Sequence, residues 1–391
     1  MTKEYHIINL GDSRTLVRPG STGVINEITG VVFDCDGVLI DASRSYNKSV
    51  GLTVSYILSI IIGRRFPNSF VSERMIYSIR RSGGFNNDCD TVYIILIKLL
   101  SMMPVSLADS YGNLFDNAST SHPYDSYRRL NALAKRSVDS KLPLESFDTL
   151  RRSSNVVIEF SSRLDENGIE TGEKIIRSIS KRKIGLMLRS LKRFLQYPED
   201  IGKSIVNTIF DEFFYGPNLF NRVHGRVSRI KGNNGNGTIY SERLIVNERT
   251  LKSLSDRFGM NNVGIASGRG SVATFQTLDV FSRYINNDAM VFLDDLNWKE
   301  SNLGKPSPYS LIKAAEPLAG DGKILYVGDS TEDIMMVKKA NQKIKNRFLF
   351  AGIYGSSPST RESIRIFREC KADIILRSVN DLPSVFGGLV K

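Results

Sequence analysis

A few acidic residues, one serine and one lysine have the types and spacing to do chemistry together: Asp34, Asp36, Ser267, Lys305, Asp329 and Asp333. Asp34 and Asp36 stand two residues apart in Asp34-Cys35-Asp36-Gly37, so on a regular strand both side chains would point to the same side. Where the chain leaves such a strand, one carboxylate can attack and the other can reach a leaving group. Gly37 lets the backbone turn there and approach a phosphate closely. Asp333 follows Asp329 by one helical turn. Three or four carboxylates gathered at one spot repel each other strongly unless a cation neutralises them. Hard oxygen donors suit Mg²⁺, which keeps waters and shares the rest of its shell with a substrate phosphate. Ser267 with the backbone N–H that follows it, at Gly268, and Lys305 can hold phosphoryl oxygens as charge shifts in a transition state.

Strands must deliver these residues to one place. Gly30-Val31-Val32-Phe33 is an apolar run that reads as a buried parallel strand ending at Asp34. From residue 240 onward the pattern alternates. Strands are expected over residues 262–266, 290–293, 324–327, 348–353 and 372–375, and helices over 250–258, 271–281, 307–315 and 331–340. That alternation implies a doubly wound parallel sheet with helices on both faces, a Rossmann-like α/β core. In open sheets of this kind the ligand lies beyond the carboxyl ends of the strands. Asp34, Ser267 and Asp329 all fall there. Residues 42–240 read as largely helical, with the structure of 118–154 left open, and residues 1–28 read as a polar leader without a usable motif.

The set of motifs resembles the haloacid dehalogenase (HAD) superfamily of phosphohydrolases. The match is Asp34-Cys35-Asp36-Gly37-Val38-Leu39, then Ala266-Ser267-Gly268-Arg269, then Gly304-Lys305-Pro306, and finally Gly328-Asp329-Ser330-Thr331-Glu332-Asp333. Each alone is weak; together, in this order and on these elements, they are specific. The resemblance implies a catalytic core over residues 29–42 and 240–391, with an enlarged, mostly α-helical cap inserted over 43–239. It implies Asp34 as the nucleophile that becomes an aspartyl phosphate, and Asp36 as the acid that protonates the leaving oxygen and then activates water. It places Mg²⁺ on Asp34, Asp329 and the backbone carbonyl of Asp36, with Asp333 acting through water or by orienting Lys305. An acid at position 36 separates the chain from the dehalogenases, which lack one there.

The implied activity is Mg²⁺-dependent hydrolysis of a small phosphate monoester. A phosphomutase of the same fold is a rival reading, and a binding protein that uses its basic segment is another. Substrate choice in capped members comes from the cap, where Gly83-Gly84-Phe85-Asn86-Asn87-Asp88 is the candidate loop; Phe85, Asn86, Asn87 and Asp88 would meet the substrate, with Arg44 near its phosphate or tail. An ordinary helix-to-helix turn is the equally weighted alternative for the loop. Asp294 and Asp295, at another strand end, are candidates for supporting the metal site. Cys35 reads as core, and Asp211–Gly216 as the interior of the cap.

Composition sets the remaining bounds. Lys and Arg number 53 against 41 Asp and Glu, for a net charge of +12, with 41% hydrophobic residues. This is the balance of an ordinary folded chain. Eight basic residues and no acid lie between Lys174 and Arg193, interleaved with apolar residues at helical spacing. One amphipathic helix with a solvated basic face is expected, rather than a nucleic-acid platform, since no aromatics alternate with the bases. Three scattered cysteines make no disulfide framework, and three histidines lack zinc-ligand spacing. No apolar stretch approaches the ~20 residues a bilayer requires. The first residues lack the apolar core of a secretory signal, so a cytoplasmic protein is expected. The expected partner is a small phosphorylated metabolite, not a membrane; nothing in the sequence points to an oligomeric state.

Overall fold

The computed structural model describes residues 5–10, 13–85, 87–137, 142–230, 236–296 and 303–388. Its strands are β1 (His6–Leu10), β2 (Ser13–Val17), β3 (Ile28–Phe33), β4 (Ile40–Asp41), β5 (Arg243–Leu244), β6 (Val263–Ala266), β7 (Met290–Val291), β8 (Lys323–Gly328), β9 (Phe348–Ile353) and β10 (Ile374–Leu376). Eight of them form one sheet in the order β1-β2-β10-β9-β8-β3-β6-β7, while β4 pairs with β5 alone. From β10 to β7 the pairing is parallel throughout. The chain divides into two compact units, residues 1–43 with 241–391, and residues 44–240.

In the first unit the expected α/β sheet is present, and both of its faces are buried. Tyr326 of β8 and Phe350 of β9 join a cluster with Leu311, Ile334, Val337 and Phe367 from the helices Tyr309–Ala315, Thr331–Lys343 and Thr360–Glu369. By the two-residue pleat, Leu325 and Val327 point the other way, and they are equally inaccessible. The helix Glu248–Phe258 packs on β6, with the helix Leu382–Gly388 against it. Each fully buried aliphatic or aromatic side chain stabilises such a core by roughly 1.5–3 kcal/mol.

Two details depart from the sequence reading. The described part of residues 1–28, 5–10 and 13–28, is not a separate leader. β1 and β2 form an antiparallel hairpin whose second strand pairs with β10, so the sheet is mixed rather than wholly parallel. The hairpin hides well in a sequence scan because its strands, His6–Leu10 and Ser13–Val17, show no regular alternation of polar and apolar residues. It is pinned by tertiary contacts instead: Tyr5 Oη donates to the Ala372 carbonyl at 2.7 Å, and Ser21 Oγ donates to Asp373 Oδ1 at 2.9 Å. The helix expected over 271–281 stops at Leu278, because Asp279 takes a positive φ of 43°.

The second unit is helical in its described elements, from the helix Ser43–Ile62, which enters it, to Ile205–His224. Residues 118–154 resolve into the end of Val105–Ser121, then Ser126–Ser137 and Leu144–Arg151. Glu212 and Phe214 are buried, as expected of an interior stretch. The basic segment is two helices, not one: Ile169–Ile179 and Arg182–Leu195, separated at Ser180 and Lys181, whose ψ values of 138° and 151° are extended. Four of its eight cations pair with acids from outside the segment. Glu173 pairs with both Arg177 and Lys192 at 2.7 Å, Asp116 with Arg193 at 2.8 Å, and Asp109 with Lys183. Among the described residues no helix is long and apolar enough to cross a membrane.

Candidate active site

The strand order creates the site. From β3 the sheet runs to β6 and β7 on one side, and the chain then returns to β8 on the other. β3 thus stands at a topological switch point, where the connections diverge and leave a crevice beyond the strand ends. In register, Phe33 lies opposite both Val327 and Ile265. The residues that leave these three strands are therefore neighbours: Asp34, Ser267 and Asp329. Asp34 N donates to the Val327 carbonyl at 2.9 Å, continuing the ladder past the end of β3.

Both oxygens of Asp34 are engaged. Ser267 Oγ and the Cys35 amide each donate to Oδ1 at 2.8 Å, while Lys305 Nζ stands 2.7 Å from Oδ2. Burial pushes this carboxyl above its ordinary range, against the pull of the Lys305 ammonium. Lys305 also donates to Asp333 Oδ1 at 2.7 Å, and the two aspartates hold it protonated despite its own burial. Asp333 is fully buried and doubly employed. Its Oδ2 accepts from the Ser330 amide at 3.1 Å while its own amide donates to Ser330 Oγ at 3.2 Å, a capping box that starts the helix Thr331–Lys343. Burial alone would raise its pKa, but Lys305 and these hydrogen bonds hold the carboxyl below the usual range. Tyr326 Oη lies 3.0 Å from the Ala266 carbonyl and 3.1 Å from Asp333 Oδ1, bracing the same carboxylate from within the sheet.

Asp34, Asp329 and Asp333 each bring one carboxylate oxygen within 4.8 Å of the others. Of the three, Asp329 is the least compensated: its contact among the described residues is Ser356 Oγ at 3.4 Å. Burial, then the charges of Asp333 and Asp34, push its carboxyl well above the usual range. A carboxylate in that position, with hard oxygen neighbours and one lysine already shared by two aspartates, suits a divalent cation such as Mg²⁺.

Asp36 does not join this group with its side chain. Its Oδ1 accepts from Arg269 Nη1 at 2.9 Å, and 37% of the side chain is open to solvent. Burial at the strand ends pushes its carboxyl up to about 6, against the pull of Arg269. Arg269 is completely enclosed, as is the Glu242 side chain it meets at 2.5 Å. Sequence reading quoted Arg269 in a motif without giving it a role; a cation two residues after a strand-end serine was the available signal. Nothing in the sequence pointed to Glu242 or Tyr326.

Gly268 is exposed next to Ser267. Cys35 is buried, and its thiol is pushed up to about 12 by burial and by the Asp34 and Asp36 charges, as befits a core residue. Asp294 and Asp295 serve locally rather than in the carboxylate cluster. Asp294 Oδ2 accepts from the Ser271 amide at 2.6 Å, at the start of the helix Ser271–Leu278, and Asp295 Oδ2 accepts from the Phe292 amide at 2.8 Å.

The loop Gly83–Asp88 connects two helices of the second unit, Glu73–Arg80 and Asp88–Leu100. Phe85 is fully buried, Asn87 Oδ1 caps the second helix by accepting from the Cys89 amide at 2.9 Å, and Asp88 pairs with Arg80. These side chains perform the work of a helix-to-helix turn. Asn86 lies outside the described residues. Arg44 is exposed in the first turn of the helix Ser43–Ile62.

No family model and no curated protein matches the chain. Among solved structures, an X-ray structure from the Northeast Structural Genomics Consortium superposes with a TM-score of 0.62 at 17% identity, over 93% of this chain and 99% of that one. A likeness at this identity concerns the fold alone.

Proposed function

We propose that the strand-end cluster is the centre of a Mg²⁺-dependent phosphatase of the haloacid dehalogenase type, hydrolysing a small phosphate monoester through an aspartyl phosphate on Asp34. One observation carries the reading. Asp34 is held between Ser267 and Lys305, with oxygens of Asp329 and Asp333 within 4.8 Å. A scaffold has no need to bury mutually repelling carboxylates around one lysine. On this reading the helical unit of residues 44–240 is the inserted cap.

Asp34 Oδ2 attacks phosphorus, and its raised basicity favours that role. Asp36 carries the proton for the leaving alkoxide and then takes one from the attacking water; a carboxyl near pH 6 can hold either state. Lys305 and Ser267, already on Asp34, shift to the phosphoryl oxygens as negative charge gathers there. Asp34, Asp329 and Asp333 would hold Mg²⁺, which supplies electrostatic stabilisation of the transferring phosphoryl group. Asp333 keeps Lys305 oriented.

Phosphate release from a panel of phosphorylated metabolites, with Mg²⁺ and then with a chelator, tests this. Asp34→Asn should abolish turnover at unchanged fold. Near-native hydrolysis by that variant, or full activity under chelation, would refute the assignment, and isomerised product without free phosphate would indicate a phosphomutase.

A further inference from the structure

Arg269 meets two carboxylates and a helix carbonyl within the protein. Nη1 donates to Asp36 Oδ1 at 2.9 Å; Nη2 donates to Glu242 Oε2 at 2.5 Å and to the Ala273 carbonyl at 3.0 Å. The Arg269 and Glu242 side chains have no solvent exposure. Glu242 accepts a further bond from Thr277 Oγ1 at 2.6 Å. Asp36 is the open member of the set, with 37% of its side chain exposed.

Those contacts give the three residues unequal freedom. A guanidinium whose Nη2 donates to both a carboxylate and a helix carbonyl has its plane set before Asp36 is considered. Nη1 then fixes where Asp36 can point. The sheet places Arg269 in the loop after β6, whereas Glu242 comes just before β5, and β5 pairs with β4 a few residues past Asp36. The anchor and the residue it aims thus belong to separate strand connections.

We propose that Arg269, locked by Glu242, is the positioning residue that aims the Asp36 carboxyl at the leaving-group oxygen, with Glu242 acting only through Arg269. The inference rests on the phosphatase reading above. In the step concerned, a bond forms between an Asp34 oxygen and phosphorus. The bond from phosphorus to the ester oxygen breaks, and the proton of Asp36 passes to that oxygen. An alkyl leaving group needs that proton, while a dinitrophenolate leaves without it. General-acid assistance of this kind is worth about 10² to 10⁴ in rate.

The experiment measures kcat and kcat/KM of the full chain with Mg²⁺ on an alkyl phosphate and on dinitrophenyl phosphate, for native protein, Glu242→Gln and Arg269→Lys. Thermal melts verify the fold, and calorimetric titration with Mg²⁺ verifies the carboxylate cluster. The expected result is a loss of about a hundredfold on the alkyl ester in both variants, a change of only a few-fold on the aryl ester, and unaltered Mg²⁺ affinity. Glu242→Gln preserves shape and keeps the test alive should Arg269→Lys fail to fold. An equal loss on both esters, or no loss on either, with the native protein active, overturns the positioning role and leaves the phosphatase reading standing. A native protein inactive on both esters overturns the phosphatase reading, and this inference with it.

Discussion

The carboxylate of Asp329 lies directly over Gly37: a Cβ added to that glycine would sit 1.9 Å from Asp329 Oδ2. Gly37 also has a φ of +75°, a region side chains rarely enter. The loop after β3 and the loop after β8 therefore meet through a missing side chain, and this closeness lets Asp329 reach the same spot as Asp34.

Gly37→Ala should consequently misplace Asp329, with a loss of about a hundredfold in kcat/KM, the penalty of a shift near 1 Å at a reacting centre. Gly23→Ala is the matched control, since nothing lies within 4 Å of its added Cβ. Phosphate-release kinetics alongside thermal melts would check both, and a fully active Gly37→Ala protein would contradict the geometry.

Lys305 neutralises two buried aspartates at once, each at 2.7 Å. Lys305→Met leaves both without a cation, and breaking a buried pair in this way costs about 3–5 kcal/mol. Urea unfolding should show that loss in metal-free protein, and Mg²⁺ should recover part of it by binding the folded state. A variant as stable as the native protein would mean that the three side chains do not form this network in solution.

Asp34, Asp36 and Asp329 all have pKa values raised above the ordinary carboxylate range, Asp36 to about 6. The folded chain therefore binds more protons than the unfolded one as pH rises above the ordinary carboxylate pKa, and stability falls with rising pH until the folded-state values are passed. Asp333, whose pKa is lowered, works in the opposite sense, and only at pH below the ordinary range. Metal-free protein should lose unfolding free energy as pH rises from the ordinary carboxylate range through about 6, the folded-state value of Asp36, and Mg²⁺ should flatten the slope. Asp329→Asn should flatten it too and raise the melting temperature of the metal-free protein at neutral pH. A native slope that is flat or rising would refute the placement of these carboxyls. In the kinetics, kcat on alkyl phosphates should decline above about pH 6 as Asp36 loses its proton.

In the helical unit, Glu173 holds Arg177, Lys192 and the Tyr93 hydroxyl. Native protein should bind single- or double-stranded nucleic acid only weakly at physiological salt. Glu173→Ala, which releases two cations, should bind more tightly and with a steeper loss as salt rises. A filter-binding series across salt concentrations checks this; tight binding by the native chain would instead favour a nucleic-acid role for the basic helices.

The parts of the fold that were legible in the sequence are those in which local pattern and long-range role coincide. The apolar runs of β3, β6 and β8 read as buried parallel strands, and each is followed directly by a residue of the cluster: Asp34, Ser267 and Asp329. Asp34, Ser267, Lys305, Asp329 and Asp333 were accordingly readable as a set. Other elements have no local signature. β1 and β2 are strands because β2 pairs with β10 and β1 with β2, and no hydrophobic alternation announces them. Ser180 and Lys181 interrupt a helical pattern without a glycine or proline to mark the break. Glu242 matters through Arg269, which is 27 residues away, and a buried ion pair across such a gap leaves no spacing to detect. The Gly83–Asp88 loop has turn chemistry that equally suits a ligand; only its neighbours show where the side chains go.

The N-terminal hairpin has a consequence of its own. Parallel strands end in a row of unpaired N–H and C=O groups, and at β10 that row would face outward without β2. β2 covers that row and passes the border to β1, a strand of five residues. A version trimmed to begin at β3 would keep every residue of the crevice and yet present the border of β10 for pairing with other copies through backbone alone.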